Sequence, residues 1–76
     1  MINKEEILVK RIRCCRAYYG YTQSAVAEKI YVSRSAYRSY ENGEAQMPPE
    51  VLERLAVFYG VTTRWLTGTV KLGNEA

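Results

Sequence analysis

The sequence contains no histidine and no aspartate, and its 76 residues include eight acidic side chains, all of them glutamate. Without histidine, neither a histidine-dependent catalytic triad nor a histidine-ligated metal site can form. The chain is also about half the length of a typical domain, which leaves little room for an enclosed catalytic cleft. These absences argue against an enzyme and against a bound metal or other cofactor.

Cysteine and long apolar segments are also scarce. The two cysteines, Cys14 and Cys15, are adjacent, and neighbouring residues of a helix point in directions too different for an ordinary disulfide. We therefore interpret them as reduced thiols of a cytoplasmic protein; an intermolecular disulfide is the alternative. Residues 1–6 lack the apolar core of a signal peptide, and no apolar run approaches the roughly 20 residues that span a membrane.

The basic residues are concentrated in the first half of the chain. The net charge is +3, but residues 1–40 contain eight basic residues and three glutamates, whereas residues 41–76 contain three basic residues and five glutamates. A net charge of +5 in one half favours a polyanionic partner such as nucleic acid, although a solvated basic face is the alternative. Hydrophobic residues make up 47% of the chain, which is too many for a disordered protein.

Apolar residues at helical spacing predict the first helix. It spans residues 4–19 and ends at Gly20, a residue typical of helix C-termini. Four side chains at positions i, i+4, i+7 and i+11 form its apolar face: Leu8, Ile12, Cys15 and Tyr19.

Two short helices follow and are joined by a turn near Tyr31 and Val32. Thr22 and Ser33 are candidate N-caps for helices over residues 23–30 and 34–41. Two helices joined by a turn of about three residues form a helix-turn-helix unit. Its predicted inward side chains are Val26, Ala27, Ile30, Ala36, Tyr37 and Tyr40.

The remaining sequence predicts two more helices. Pro48 and Pro49 begin the fourth, which ends at Gly60, and Thr62 caps a short fifth helix that ends at Gly68. The fourth helix has an apolar face of Leu52, Leu55, Ala56 and Tyr59. We expect residues 1–68 to form one all-α domain and residues 69–76 to form a C-terminal tail; a strand over residues 69–72 is the alternative.

Residues 21–43 resemble the helix-turn-helix of the lambdoid phage repressor and Cro (XRE) family. Residues 52–68 look like the fourth and fifth helices of that family, so the resemblance extends over about residues 8–68. The most specific pieces are Thr22-Gln23, Val32-Ser33, Glu41-Asn42-Gly43 and Trp65-Leu66. The resemblance implies a compact all-α bundle of five helices, similar to the DNA-binding domain of lambda repressor.

The same resemblance implies a sequence-specific transcriptional regulator, a repressor or a Cro-like protein, that binds double-stranded DNA as a homodimer on a palindromic operator. Its recognition helix, at about residues 33–41, would lie in the major groove. Arg34 is the best candidate for reading a base, because arginine can donate two hydrogen bonds to guanine. The base-contacting residues implied by the resemblance are Arg34, Ser35, Ser39 and Arg38; the alternative is a solvated helix face.

Other roles are also implied by the resemblance. Thr22, Gln23 and Asn42 match phosphate contacts of the family, and the family's glutamine at the position of Gln23 also buttresses the recognition helix. Arg16 and Glu41 match a partly buried ion pair that fixes the recognition helix, the alternative being that Arg16 contacts DNA. The fourth and fifth helices match the dimer interface of the family, to which Phe58, Val61 and Trp65 would contribute. The alternative for Trp65 is that it covers the core.

The sequence departs from the family at the turn, where Tyr31 stands in place of the usual glycine. Either Tyr31 adopts a positive φ, at a cost on the order of 1 kcal/mol, or the turn has another geometry. The loop before Pro48 is also one residue longer. For the nearby Tyr18, Tyr19 and Tyr21 we expect packing against the core, with stacking on bases as the alternative.

A different class of function stays open beside DNA binding. The chain could be a protein-binding helix-turn-helix module, such as an antirepressor or antitoxin, that acts on a partner protein. A patch of Glu44, Glu50, Phe58 and Trp65 would then carry the function.

Under the DNA-binding hypothesis, the resemblance implies a phage or mobile-element origin. It also implies either a short Cro-like regulator or the N-terminal domain of a longer repressor.

Overall fold

The computed structural model describes residues 4–68, which form five helices. They are α1 (Lys4–Tyr19), α2 (Gln23–Lys29), α3 (Arg34–Glu41), α4 (Pro49–Tyr59) and α5 (Thr63–Leu66). The described residues contain no strand, so the all-α prediction is confirmed. The predicted tail and the alternative strand at residues 69–72 lie outside the described residues.

Local side-chain chemistry explains where the helices begin. Three hydroxyl groups each accept a hydrogen bond of 3.0–3.1 Å from the backbone N–H three residues further on; they belong to Thr22, Ser33 and Thr62. Each such cap stabilises its helix by about 1 kcal/mol. At the start of α4, Pro49 occupies the first helical position, where a backbone N–H has no intrahelical partner.

The end of α2 differs slightly from the sequence prediction, whereas α3 ends at residue 41 as predicted. α2 ends at Lys29, and Ile30 is its C-cap with φ −105°, so the helix is one residue shorter than expected. After α3, Asn42 keeps a negative φ of −88° and only Gly43, at φ 75°, adopts the left-handed conformation. This conformation turns the chain away from α3 at little steric cost, because glycine has no Cβ.

The core lies between the helices and contains most of the predicted side chains. Those with no exposed surface are Ile12, Val26, Ile30, Tyr37, Leu55 and Leu66. Val51 is also buried, although the sequence pattern did not predict it. Tyr19 was predicted to face inward but is 53% exposed; it lies at the end of α1, where its ring stacks 5.8 Å from that of Tyr59.

Helix α1 holds the bundle together from one side by packing against both α3 and α5. Its contact with α5 includes Arg11, which donates a hydrogen bond to the Trp65 carbonyl oxygen. The Arg11 guanidinium also lies 4.7 Å from the centre of the Trp65 ring, within cation–π range. None of the described helices combines the length and the apolar character that a membrane span requires.

Candidate nucleic-acid interface

Helix α3 has one exposed polar face. Arg34, Ser35 and Arg38 are exposed, and Ser39 is half-buried. On the opposite face Tyr37 is fully buried, and the side chain of Ala36 is partly covered. The structure therefore places the four predicted base-contacting residues on the accessible part of α3, with Ser39 closest to the body of the protein.

The turn before α3 keeps the geometry that a glycine would normally supply. Tyr31 has φ 62°, and the Val32 N–H donates to the Ala27 carbonyl at 3.0 Å. The left-handed conformation costs a non-glycine residue roughly 1–2 kcal/mol. The Tyr31 ring is 81% exposed and lies 6.0 Å from the Arg54 guanidinium. Of the two expectations for this turn, the structure therefore shows the strained tyrosine.

The carboxylate of Glu41 anchors the buried side of α3. Glu41 is 1% exposed, and Arg16 donates to its two oxygens from Nε at 2.6 Å and from a terminal nitrogen at 3.0 Å. A second terminal nitrogen of Arg16 donates to the Tyr21 carbonyl at 3.0 Å. Arg16 thus links α1 with the end of α3 and with the segment before α2.

Two further donors complete the hydrogen bonds of this carboxylate. The Tyr37 hydroxyl donates to Glu41 at 2.7 Å, and the Gln23 amide donates at 3.0 Å. Burial by itself raises the pKa of Glu41, but the hydrogen bonds from Arg16, Tyr37 and Gln23 outweigh it and hold the pKa below its ordinary value. The same contacts fix α3 relative to both α1 and α2. We call Arg16, Gln23, Tyr37 and Glu41 the Glu41 network.

The three predicted phosphate contacts lie in different environments. Thr22 is exposed, and its hydroxyl accepts from the Ala25 N–H. Gln23 is half-buried, and one amide hydrogen is engaged by Glu41, which leaves its second hydrogen available. Asn42 is exposed beyond the last residue of α3.

Aromatic side chains cluster where α1 ends and α2 begins. Tyr21 packs 5.2 Å from Phe58 of α4, whereas Tyr18 is 82% exposed and touches the edge of Tyr19. Tyr21 therefore packs as expected, whereas Tyr18 remains largely exposed. The predicted dimer residues Phe58, Val61 and Trp65 are all half-buried.

The structure separates the residues of the predicted protein-binding patch. Glu44 lines a groove of about 510 Å³ beside Leu8 and Met47. Glu50 and Phe58 line a different groove, together with Tyr31. Trp65, the fourth member, lies against Arg11. Glu44 therefore lines a different groove from Glu50 and Phe58.

Comparison with known proteins agrees with this architecture. Residues 12–66 match the family described as Helix-turn-helix, and this match includes all residues from the middle of α1 to the end of α5. The chain belongs to the helix-turn-helix family. Proteins of this class are DNA-binding transcriptional regulators and not enzymes.

One relative and one solved structure extend the comparison of this helix-turn-helix chain. It is 33% identical over 57 residues to YonR of Bacillus subtilis (strain 168), an uncharacterised HTH-type transcriptional regulator derived from the SPbeta prophage. That match covers 75% of this chain and 53% of YonR, so the chain spans about half the length of this relative. The crystal structure of a hypothetical transcription factor, NHTF from Neisseria, has the same fold, with a TM-score of 0.79 and 20% identity; the match covers 86% of this chain and 75% of NHTF.

Some contacts of this helix-turn-helix domain were not predicted from the sequence. The hydrogen bond between Tyr37 and Glu41 joins residues four positions apart on one helix, a spacing that allows contact and could have indicated it. The bond from Gln23 to Glu41 has no such local signal, although the family resemblance implied that Gln23 buttresses the recognition helix. Sequence reasoning also missed Arg13, whose guanidinium lies 3.4 Å from the Asn42 side-chain oxygen.

Proposed function

We propose that this protein is a cytoplasmic, sequence-specific transcriptional regulator, a repressor or Cro-like protein, that binds double-stranded DNA as a homodimer on a palindromic operator. The observation that carries the proposal is the two-sided character of α3. The Glu41 network holds the buried Tyr37 and the last residue, Glu41, while Arg34, Ser35 and Arg38 are exposed. A helix that is rigidly held and polar on its free side is suited to the major groove.

The exposed side chains of α3 supply the proposed base contacts. Arg34 is the first residue of the helix, and its guanidinium can donate two hydrogen bonds to guanine O6 and N7. Ser35 follows in the same turn, and Arg38 and Ser39 lie on the next turn, where their donors would reach neighbouring bases. Because Ser39 is half-buried, its contact requires the DNA to approach α3 closely.

The proposed phosphate contacts lie at the two ends of the helix-turn-helix unit. Thr22 and Gln23 stand at the start of α2, and Asn42 follows the end of α3. Contacts to the backbone on both sides of the groove would fix the depth and angle of α3 without reading sequence. Gln23 would couple the two functions, because the same amide group that faces a phosphate also donates to Glu41.

The proposed dimer interface comprises Phe58, Val61 and Trp65. All three are half-buried and lie near the junction of α4 and α5, so they retain apolar surface for a partner. Two-fold symmetry suits this function because one α3 helix reads only one half-site. The prophage origin of YonR supports a phage or mobile-element origin for this protein as well.

Selection of binding sites from random duplexes tests the proposal directly. We expect enrichment of a two-fold symmetric site whose half-sites are separated by about one helical turn of DNA, roughly 34–36 Å. The logarithm of affinity for this duplex should fall steeply with the logarithm of salt concentration. No enrichment, together with tight retention of a partner protein, would contradict DNA regulation and favour the protein-binding alternative, an antirepressor or antitoxin.

A further inference from the structure

Two arginines on α1 reach two successive residues at the C-terminal end of α3. Arg16 binds Glu41, and Arg13 donates to the Asn42 side-chain oxygen at 3.4 Å. Residues three apart on a helix are neighbours on its surface, so Arg13 and Arg16 form one stripe. This stripe follows α3 from its last helical residue to its C-cap.

The two arginines differ in their surroundings. Arg16 is half-buried and ion-paired, whereas Arg13 is exposed and has no carboxylate within 4.0 Å among the described residues. Its described hydrogen bond goes to the neutral Asn42 amide and uses one of the five N–H donors of a guanidinium. Arg13 therefore presents an unneutralised positive charge beside the end of the recognition helix.

The contact with Arg13 also sets the orientation of the Asn42 amide. Arginine only donates hydrogen bonds, so the amide oxygen of Asn42 must face the guanidinium. Both hydrogens on the amide nitrogen then remain available for another acceptor. Arg13 and Asn42 together offer several donors and one positive charge at a single exposed position.

We propose that Arg13 and Asn42 bind one phosphate group of the DNA backbone as a pair. This inference rests on the proposed function and assigns a contact to Arg13. The loop that follows α3, residues 44–47, has Glu44 as its only charged side chain, so it supplies no cation at this end of the helix. Arg13 supplies that charge from α1, and its planar donor group fits phosphate oxygens.

The salt dependence of DNA binding tests the contact assigned to Arg13. Binding of a fluorescent duplex of arbitrary sequence is measured by anisotropy between about 50 and 200 mM NaCl for the full chain, Arg13→Ala and Lys29→Ala. Lys29 is an exposed cation that lines the same groove as Tyr31 and Glu53, so its removal changes the net charge equally without touching the proposed contact. Thermal unfolding should show the same midpoint for both variants and the wild type.

We expect Arg13→Ala to reduce the slope of log affinity against log salt by about 1 per subunit, because one phosphate contact is lost. The loss of affinity at 50 mM should therefore be about fourfold greater than at 200 mM. Lys29→Ala should leave the slope nearly unchanged, and Arg13→Lys should preserve most of it, because lysine keeps the charge.

Two other results would overturn the inference in distinguishable ways. Equal slopes for Arg13→Ala and Lys29→Ala, with wild-type binding intact, would reject the Arg13 contact and leave the proposed function standing. A wild-type protein that binds no duplex at about 50 mM salt would reject the proposed function and this contact together.

Discussion

Arg16 and Glu41 form a two-pronged ion pair between α1 and the last residue of the recognition helix, with N–O distances of 2.6 and 3.0 Å. The Glu41 carboxylate is 1% exposed, so the charge of Arg16 is its main compensation for the loss of water. Because α3 joins the bundle through this pair, the presentation of Arg34 and Arg38 depends on a contact at the C-terminal end of the helix.

Replacing Arg16 with alanine should therefore destabilise the fold strongly. Removing one partner of a buried ion pair costs about 3–5 kcal/mol, because the remaining charge stays buried without compensation. Arg38→Ala removes an exposed arginine from α3 and should change stability by less than about 0.5 kcal/mol. Urea denaturation of both variants measures the difference, and similar free energies of unfolding would contradict this role for Arg16.

The titration of Glu41 should give the protein a characteristic loss of stability in acid. Its pKa is lower in the folded state than its ordinary value of 4.5, so the unfolded chain takes up a proton first as the pH falls. The stabilisation is complete above 4.5 and is lost as the pH falls through the folded-state pKa. Carbon NMR of the glutamate side chains can follow this directly. If Glu41 took up its proton at the same pH as the exposed glutamates, the network would not favour its charged form.

The helices were largely predictable because their limits are set by local chemistry. Hydroxyl caps at Thr22, Ser33 and Thr62 and the glycine after α4 appear in the sequence at the expected distances. Contacts between distant segments were harder to predict. The pairing of Arg16 with Glu41 was expected only from family resemblance, and nothing near Gln23 in the sequence indicates its bond to Glu41, because that contact depends on how α2 and α3 pack.

Two buried tyrosines should respond in opposite ways to the loss of their hydroxyl groups. The Tyr37 hydroxyl donates to Glu41, whereas the buried Tyr59 hydroxyl has no hydrogen-bond partner among the described residues. Tyr37→Phe removes a donor from a buried carboxylate and should destabilise by about 1.5–3 kcal/mol, the range for bonds to charged groups.

For Tyr59→Phe we expect stabilisation of about 1 kcal/mol, because the variant removes a buried polar group that has lost its hydration. Thermal or urea unfolding of the two matched variants measures whether each change in stability relative to the wild type is a loss or a gain. Destabilisation of both proteins by equal amounts would mean that the Tyr59 hydroxyl also makes a favourable interaction.

Relieving the backbone strain at Tyr31 should also make the protein more stable. Tyr31→Gly should raise stability by about 1 kcal/mol, because glycine adopts φ 62° without the Cβ clash. Tyr31→Ala is the matched control: it also removes the ring near Arg54 but keeps the Cβ, so it should bring no gain. If the two variants unfold at the same temperature, strain at this position is not the cause.

Replacing Arg34 should distinguish sequence-specific recognition of DNA from non-specific attraction to it. If its guanidinium reads a guanine, Arg34→Ala should weaken binding to the selected operator by about 1–3 kcal/mol and leave binding to random duplex nearly unchanged. Competition binding with operator and random duplexes of equal length measures this ratio. Arg13→Ala is the contrasting variant, since loss of a phosphate contact lowers both affinities together. An equal loss of affinity for the two duplexes in Arg34→Ala would reassign Arg34 to the phosphate backbone.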